Sequence, residues 1–362
     1  METQARRLLA WWGLAVIAAS LGCAEAPTGA VNGRPLPLAT QVGPQGTYDC
    51  AGDQSEIPVS ECDALSALFH STNGASWKDN TGWLQTSTPC SWRGVSCTSG
   101  SVAGLDLSIN QLAGTLPRQL ADLVGLTALD LSFNQIGGPL PVEIGRLGGL
   151  TSLVLTRNLI GGSLPPEIGR LSQLRVLRLG GNRLGGRIPS SLGGLSRLTE
   201  LNLSINGLEG PIPPEIGQLV SLQRLHLEAN RLSGPIPESI GRLAALEWLR
   251  LDQNGLTGPI PASIGGLPRL WLLTLRVNKL TGAIPTSFAR LTTLYQVAFD
   301  SNDLSGTIPV SVAQILHNVE VNHPFAGCQV NNNPKLRMGG GPAYRAVDKD
   351  GDGSICGLPL SR

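Results

Sequence analysis

Three aspartates at alternate positions, Asp348, Asp350 and Asp352, stand directly before Gly353 and Ser354. That spacing suits Ca²⁺, with carboxylates on a turning segment, a glycine for the bend and the Ser354 carbonyl as a further oxygen. The place where a twelve-residue calcium loop carries a bidentate glutamate is Pro359 here. The expected affinity is therefore weak, about 10⁻⁴–10⁻³ M, as in extracellular modules. Nothing in the chain points to catalysis. His70, His226, His317 and His323 share no metal-ligand spacing, and no serine elbow, phosphate loop or kinase signature occurs. Glu228 and Asp252 would be neighbours on adjacent strands, but an open sheet offers no pocket in which a glycosidase pair could bracket a sugar. No enzyme is expected.

What holds the other polar residues in place is a repeat. Asn110, Asn134, Asn158, Asn182, Asn206, Asn230, Asn254, Asn278 and Asn302 follow one another at a constant step of 24 residues. Around each runs L-x-L-x-x-N-x-L-x-G-x-I/L-P, as in Leu225 to Pro237. A fixed period of this length predicts a solenoid, in which each unit buries its apolar residues against its neighbours. Leu225-His226-Leu227 alternates as a short strand does, with one buried face. The asparagine falls at the turn, where a buried side-chain amide can satisfy backbone groups of adjacent coils. The Gly-x-Ile-Pro-x-x-Ile-Gly-x-Leu part, as at Gly210–Leu219, is too rich in proline and glycine for a long helix and predicts extended or 3₁₀ coil.

This pattern resembles the plant-type leucine-rich repeat of polygalacturonase-inhibiting proteins and plant receptor-kinase ectodomains. The resemblance covers residues 101–319 as nine units, the ninth drifting at Val297-Ala298-Phe299 and Val312. It implies an α/β solenoid: a right-handed superhelix with a concave parallel β-sheet, a 3₁₀ or irregular convex side and disulfide-closed caps. Such repeats bind protein, peptide or glycan ligands. Residues 47–100 resemble the N-terminal cap of the same family, carrying Trp77, Trp83 and a C-x-W-x-G-V-x-C stretch from Cys90 to Cys97. Their tryptophans are expected to cover the open end of the core; a tryptophan-lined glycan site is the alternative. Residues 320–362 resemble the Excalibur domain, an extracellular calcium-binding module of bacteria, with Gly357 where that family usually has glutamate. The resemblance implies a metal set of Asp348, Asp350, Asp352 and Ser354.

Aligned repeats bring outward residues into columns. The first half is bland, with Asp106, Asp130 and Val154 in one column and Ser108, Ser132 and Thr156 in another. The second half is not. His226, Arg250 and Thr274 form one column; Glu228, Asp252, Arg276 and Asp300 the next; Arg224 and Trp248, and Glu247, Trp271 and Tyr295, two more. Strands lie about 4.8 Å apart, so these residues predict one patch of the side-chain types enriched at binding hot spots. The expected ligand site is Arg224, His226, Glu228, Trp248, Arg250, Asp252, Trp271, Arg276, Tyr295 and Asp300.

The formal net charge of +1 gives no clustered basic surface, which argues against nucleic acid. Arg6 and Arg7 precede an apolar run from Leu8 to Gly22, an export signal too short for a membrane span. Two cleavage readings compete: a bacterial lipobox ending at Cys23, whose lipidation would anchor the chain, and an ordinary site at Ala24-Glu25-Ala26. Residues 1–23 are read as the signal and 24–46 as a flexible tether. Cys50, Cys62, Cys90, Cys97, Cys328 and Cys356 lie outside the repeats and are even in number, a disulfide framework for an oxidising compartment. Three local bridges are the simplest of fifteen pairings. The chain thus reads as a bacterial, secreted or cell-envelope recognition protein with weakly bound Ca²⁺. A structural or adhesive envelope component, or an inhibitor of a secreted glycosidase, are the alternatives.

Overall fold

A computed structural model describes residues 49–53, 56–322, 328–347, 354–356 and 358–360. The segments read as signal, lipidation site and tether, including Cys23, lie outside the described residues, as do His323, Asp348, Asp350 and Asp352.

The repeat makes one strand per turn. Eleven strands form a single sheet in chain order, from Val95–Thr98 through Arg224–His226, Trp248–Arg250, Leu272–Thr274 and Gln296–Ala298 to Cys328–Gln329. All neighbours are parallel except the first pair, and equivalent positions pair: Leu225 opposite Leu249, Leu249 opposite Leu273. The alternation of Leu-x-Leu sends the leucines inward, where Leu225, Leu249 and Leu273 are fully buried. A second, six-stranded parallel sheet runs from Glu209–Gly210 to Lys335–Met338. Between the sheets each unit makes one 3₁₀ turn of five residues, such as Pro214–Gln218, entered from an extended proline (Pro213, φ −67°). Proline fixes that φ, and Ile216 at the centre of the turn is buried in the core.

Each asparagine reaches across coils. Asn230 Oδ1 accepts the Leu208 N–H (3.0 Å), while Nδ2 donates to the carbonyls of Leu203 (3.0 Å) and Leu227 (3.1 Å). Asn110, Asn134, Asn158 and Asn302 are buried as expected; the five between them are half-buried, with only their amide ends engaged in the same pattern. The residue before each asparagine takes a left-handed backbone, φ between 52° and 59° at Ile109, Phe133, Arg157, Ile205, Ala229, Gln253, Val277 and Ser301. β-Branched residues rarely accept that conformation, so the repeat's turn is imposed by the ladder rather than by local preference.

Stacking continues beyond residue 319, where the repeat pattern had been expected to end. The helix Val310–Asn322 replaces the 3₁₀ turn, and a tenth coil follows. Cys328–Gln329 joins the broad sheet and Lys335–Met338 the second sheet. Asn333 takes the ladder position, accepting the Leu304 N–H (3.1 Å) and donating to the carbonyls of Phe299 (3.1 Å) and Val330 (2.9 Å). The helix lengthens the step from Asn302 to Asn333, which hid this coil from the periodic pattern.

Both ends are closed by side chains. The helix Val59–Ser71 packs beside a cluster in which Trp83 lies 4.9 Å from Trp77 and 5.2 Å from Trp92, ring centre to ring centre. All three indoles are buried, and their N–H groups donate to the carbonyls of Thr72, Arg93 and Thr86. They form core, with no exposed face for a sugar. Gly94 (φ 81°) lies so close to the Asp106 carbonyl that any Cβ would collide with it. The cysteines close Cys50–Cys62, Cys90–Cys97 and Cys328–Cys356. At the C-terminal end both Glu320 carboxylate oxygens accept the Cys356 N–H (3.0 Å each), and Ser354 lies in the short strand Ser354–Ile355.

Candidate functional site

Register brings the residues of repeats six to nine together on the face of the broad sheet. Arg224, Trp248 and Leu272 stand opposite one another on consecutive strands, as do His226, Arg250 and Thr274. Glu228, Asp252, Arg276 and Asp300 follow the strands; Glu247, Trp271 and Tyr295 precede them, tied through Trp271 N–H to Glu247 O and Tyr295 N–H to Trp271 O (both 2.8 Å).

The aromatic residues stack. Trp248 and Trp271 are 5.8 Å apart at 20°, and Trp271 and Tyr295 4.4 Å apart at 13°. The Arg224 guanidinium carbon lies 5.3 Å from the Trp248 ring centre, and His226 meets the same ring edge-on at 5.8 Å. This modifies the expectation that Trp248 and Trp271 project outward from the patch. The three rings are half-buried because each shields its neighbour's face. The outward positions Leu272, Thr274 and Ala298 are buried as well. So are His226, Asp252 and Asp300, which had been expected at the surface. On strands this closely spaced, long side chains lie over one another instead of projecting separately.

Charges alternate along the same face. Arg178 grips Glu200 with two hydrogen bonds of 2.7 Å. Beyond it the contacts loosen: Arg224 to Glu200 at 3.5 Å, Arg250 to Glu228 at 3.4 Å, Arg276 to Asp300 at 3.6 Å. Glu228 Oε2, Asp300 Oδ1 and the Nε atoms of Arg224, Arg250 and Arg276 are buried and have no hydrogen-bond partner among the described residues. Such groups are rare in folded proteins and each calls for an explanation. Arg178 and Glu200 were missed as members of the site, although their 24-residue offsets from Asn202 and Arg224 placed them in its columns.

Two buried carboxyls titrate in opposite directions. Burial raises Glu200, but the Arg178 hydrogen bonds and charge, with Arg224 and His226, outweigh it and hold the group below its ordinary 4.5. Burial pushes Asp252 above its ordinary 3.8 despite hydrogen bonds from Thr274 Oγ1 (2.5 Å) and the Arg276 N–H (3.0 Å). Ionised Glu200 therefore stabilises the fold above about pH 4.5, and this is lost as pH falls through its depressed folded value. Asp252 stabilises only while protonated, and ionising it at neutral pH costs stability. Thermal melts should show Glu200→Gln lowering the midpoint at pH 7 and lowering it less near pH 3. Asp252→Asn should raise it at pH 7 and lose that advantage near pH 3. Equal effects at both pH values would contradict this assignment.

Among the described residues no group of three or more His, Cys, Asp or Glu side chains could hold a metal, and no helix is long and apolar enough to cross a membrane.

Comparison with known proteins places this geometry. A Leucine rich repeat family model matches residues 148–208, and a second, Leucine Rich Repeat, matches residues 125–147, 221–243 and 245–267. No curated protein matches the chain in sequence. Among solved structures it is similar to the ectodomain of the plant membrane receptor kinase GASSHO1/SCHENGEN3 from Arabidopsis thaliana, in complex with CASPARIAN STRIP INTEGRITY FACTOR 2. That match has 30% identity, a TM-score of 0.62, and covers 79% of this chain and 40% of the other. The Arabidopsis receptor kinase HAESA, in complex with the peptide hormone IDA and the co-receptor SERK1, matches at 27% identity and a TM-score of 0.55, covering 83% and 62%. A plant ice-binding protein matches at 25% identity and a TM-score of 0.60, covering 78% of this chain and 96% of that one. The chain thus spans less than two thirds of either receptor ectodomain.

Proposed function

We propose that this chain, a leucine-rich repeat protein, is an exported, non-catalytic recognition protein that binds a peptide or an extended segment of another protein across repeats six to nine. The observation that carries this is the contrast along one sheet. Arg178 is fully paired, whereas from Arg224 to Asp300 donors and acceptors are buried, half-satisfied and set beside an aromatic stack. A peptide backbone supplies both N–H and C=O groups and can complete both kinds. A pyranose would need a free ring face, and the Trp271 faces are taken by Trp248 and Tyr295. The peptide hormone in the HAESA complex supports a ligand of this class. Three disulfides support an oxidising compartment. Processing at the N-terminus, with lipidation of Cys23 as one form, belongs to the same reading. The test is a combined peptide and glycan array probed with the purified chain. Selective peptide hits support the assignment; glycan hits alone, or none, overturn it.

A weak calcium site at Asp348, Asp350 and Asp352 is the second part of the reading, carried by the sequence pattern. The Cys328–Cys356 bridge ties Cys356, which follows this stretch in sequence, to the strand Cys328–Gln329 of the tenth coil. Calorimetric titration should give a Kd of about 10⁻⁴–10⁻³ M, with the heat lost in Asp350→Ala. Absence of heat up to several millimolar calcium would remove the site.

A further inference from the structure

Acidic residues on the sheet face of repeats five to nine all have internal partners, with one exception. Glu200 and Glu228 pair with arginines, Asp300 faces Arg276, and Asp252 accepts hydrogen bonds from Thr274 and the Arg276 backbone. Glu247 is half-buried and makes no ion pair or side-chain hydrogen bond among the described residues. It sits beside the aromatic stack, preceding Trp248 in the chain and standing next to Trp271 across the sheet, where its carbonyl accepts the Trp271 N–H at 2.8 Å. A carboxylate without a counter-charge, on a half-buried residue next to the aromatic stack, can attract a cation.

The neighbouring column shows what completes such a set. There Glu200, Arg224 and Trp248 lie on successive strands: a carboxylate, a guanidinium 3.5 Å from it, and an indole whose ring centre is 5.3 Å from the guanidinium carbon. In the column of Glu247, Trp271 and Tyr295 the carboxylate and the aromatic wall recur, and no arginine or lysine of the column stands with them. Arg250, three residues after Glu247, is engaged by Glu228 at 3.4 Å, and Arg242 and Arg269 are exposed and form no ion pair with Glu247.

We infer that Glu247, flanked by Trp248 and Trp271, is a subsite for a cationic side chain, a guanidinium or an ammonium, borne by the ligand of the sheet face. The inference rests on the recognition reading above and names the chemistry of that ligand. The carboxylate supplies the charge, and the edges of the stacked rings supply an apolar flank for the methylene stem. The ring faces are already occupied by one another, so attraction is governed by the carboxylate and is sensitive to salt.

The test uses argininamide and, as an uncharged counterpart, norleucinamide, added to the purified chain and to Glu247→Gln, with binding read from tryptophan fluorescence and calorimetry. Argininamide should bind in the millimolar range, weaken severalfold between 50 and 500 mM NaCl, and lose at least fivefold in Glu247→Gln, whose circular dichroism should be unchanged. Norleucinamide should bind at least fivefold more weakly. Equal binding of the two probes, or an unchanged response in Glu247→Gln, overturns the inference. The peptide array separates this result from the broader reading. Hits without enrichment in Arg or Lys, insensitive to Glu247→Gln, leave recognition standing and remove the cationic subsite. A silent array with argininamide binding lost in Glu247→Gln does the reverse.

Discussion

Replacing Trp248 and Trp271 together by alanine should weaken binding of an array-selected peptide by about a hundredfold while the fold persists. The two rings stack at 5.8 Å, and Trp271 also supports Tyr295 at 4.4 Å, so the pair holds the whole aromatic wall. Removing buried aromatic anchors at an interface costs at least about 2 kcal/mol each, and residues in contact do not add fully. A combined loss of roughly 3 kcal/mol corresponds to that hundredfold change. Leu249 and Leu273 behind them remain fully buried, so the solenoid core is untouched. Calorimetry on the double variant, with thermal melting as control, decides it. Unchanged affinity would move the ligand site elsewhere.

The largest effect on stability is expected from the ladder. In Asn230→Ala the Leu208 N–H loses its partner, and the carbonyls of Leu203 and Leu227 lose one donor each while keeping the Asn206 and Asn254 amides. The stranded N–H costs roughly 1–3 kcal/mol, and the two weakened carbonyls add less. Relaxation and water entering the half-buried turn offset part of this, leaving a net loss of about 2 kcal/mol. Solenoid stability is a sum over neighbouring units, so a weak junction at the sixth coil should also broaden or split the transition. Urea unfolding of the variant beside the parent chain would show this. A midpoint unmoved and a single sharp transition would mean that water replaces the amide fully.

The solenoid was legible from the nine asparagines because a constant step leaves each side chain no choice of face. Leucines on alternate residues point in, and Arg224, Trp248 and Leu272 fall in one column by arithmetic alone. The site was legible only as a set of columns. Whether Trp248 stands free or lies against Trp271 depends on rotamers chosen by packing across strands, which no pattern along the chain records. That is why outward-projecting tryptophans were expected and a half-buried stack was found. Arg178 escaped notice for a similar reason: as one arginine in a bland half it carries no signal, and only the closed pair with Glu200 shows it to be satisfied. The tenth coil escaped because the helix Val310–Asn322 interrupts the step that announces all the others.

By itself, then, the sequence determined the period, the inward face and the membership of each column, since those follow from short-range stereochemistry repeated without insertion. Only the tertiary structure decided which donors and acceptors are paired, which ring faces are covered and where stacking ends. Those outcomes are competitions between side chains distant in sequence, settled by distances of 3 to 6 Å across the sheet. Glu247 illustrates the division: its column is written in the chain, but that every other acid of that face found a partner, and it did not, is a fact of packing.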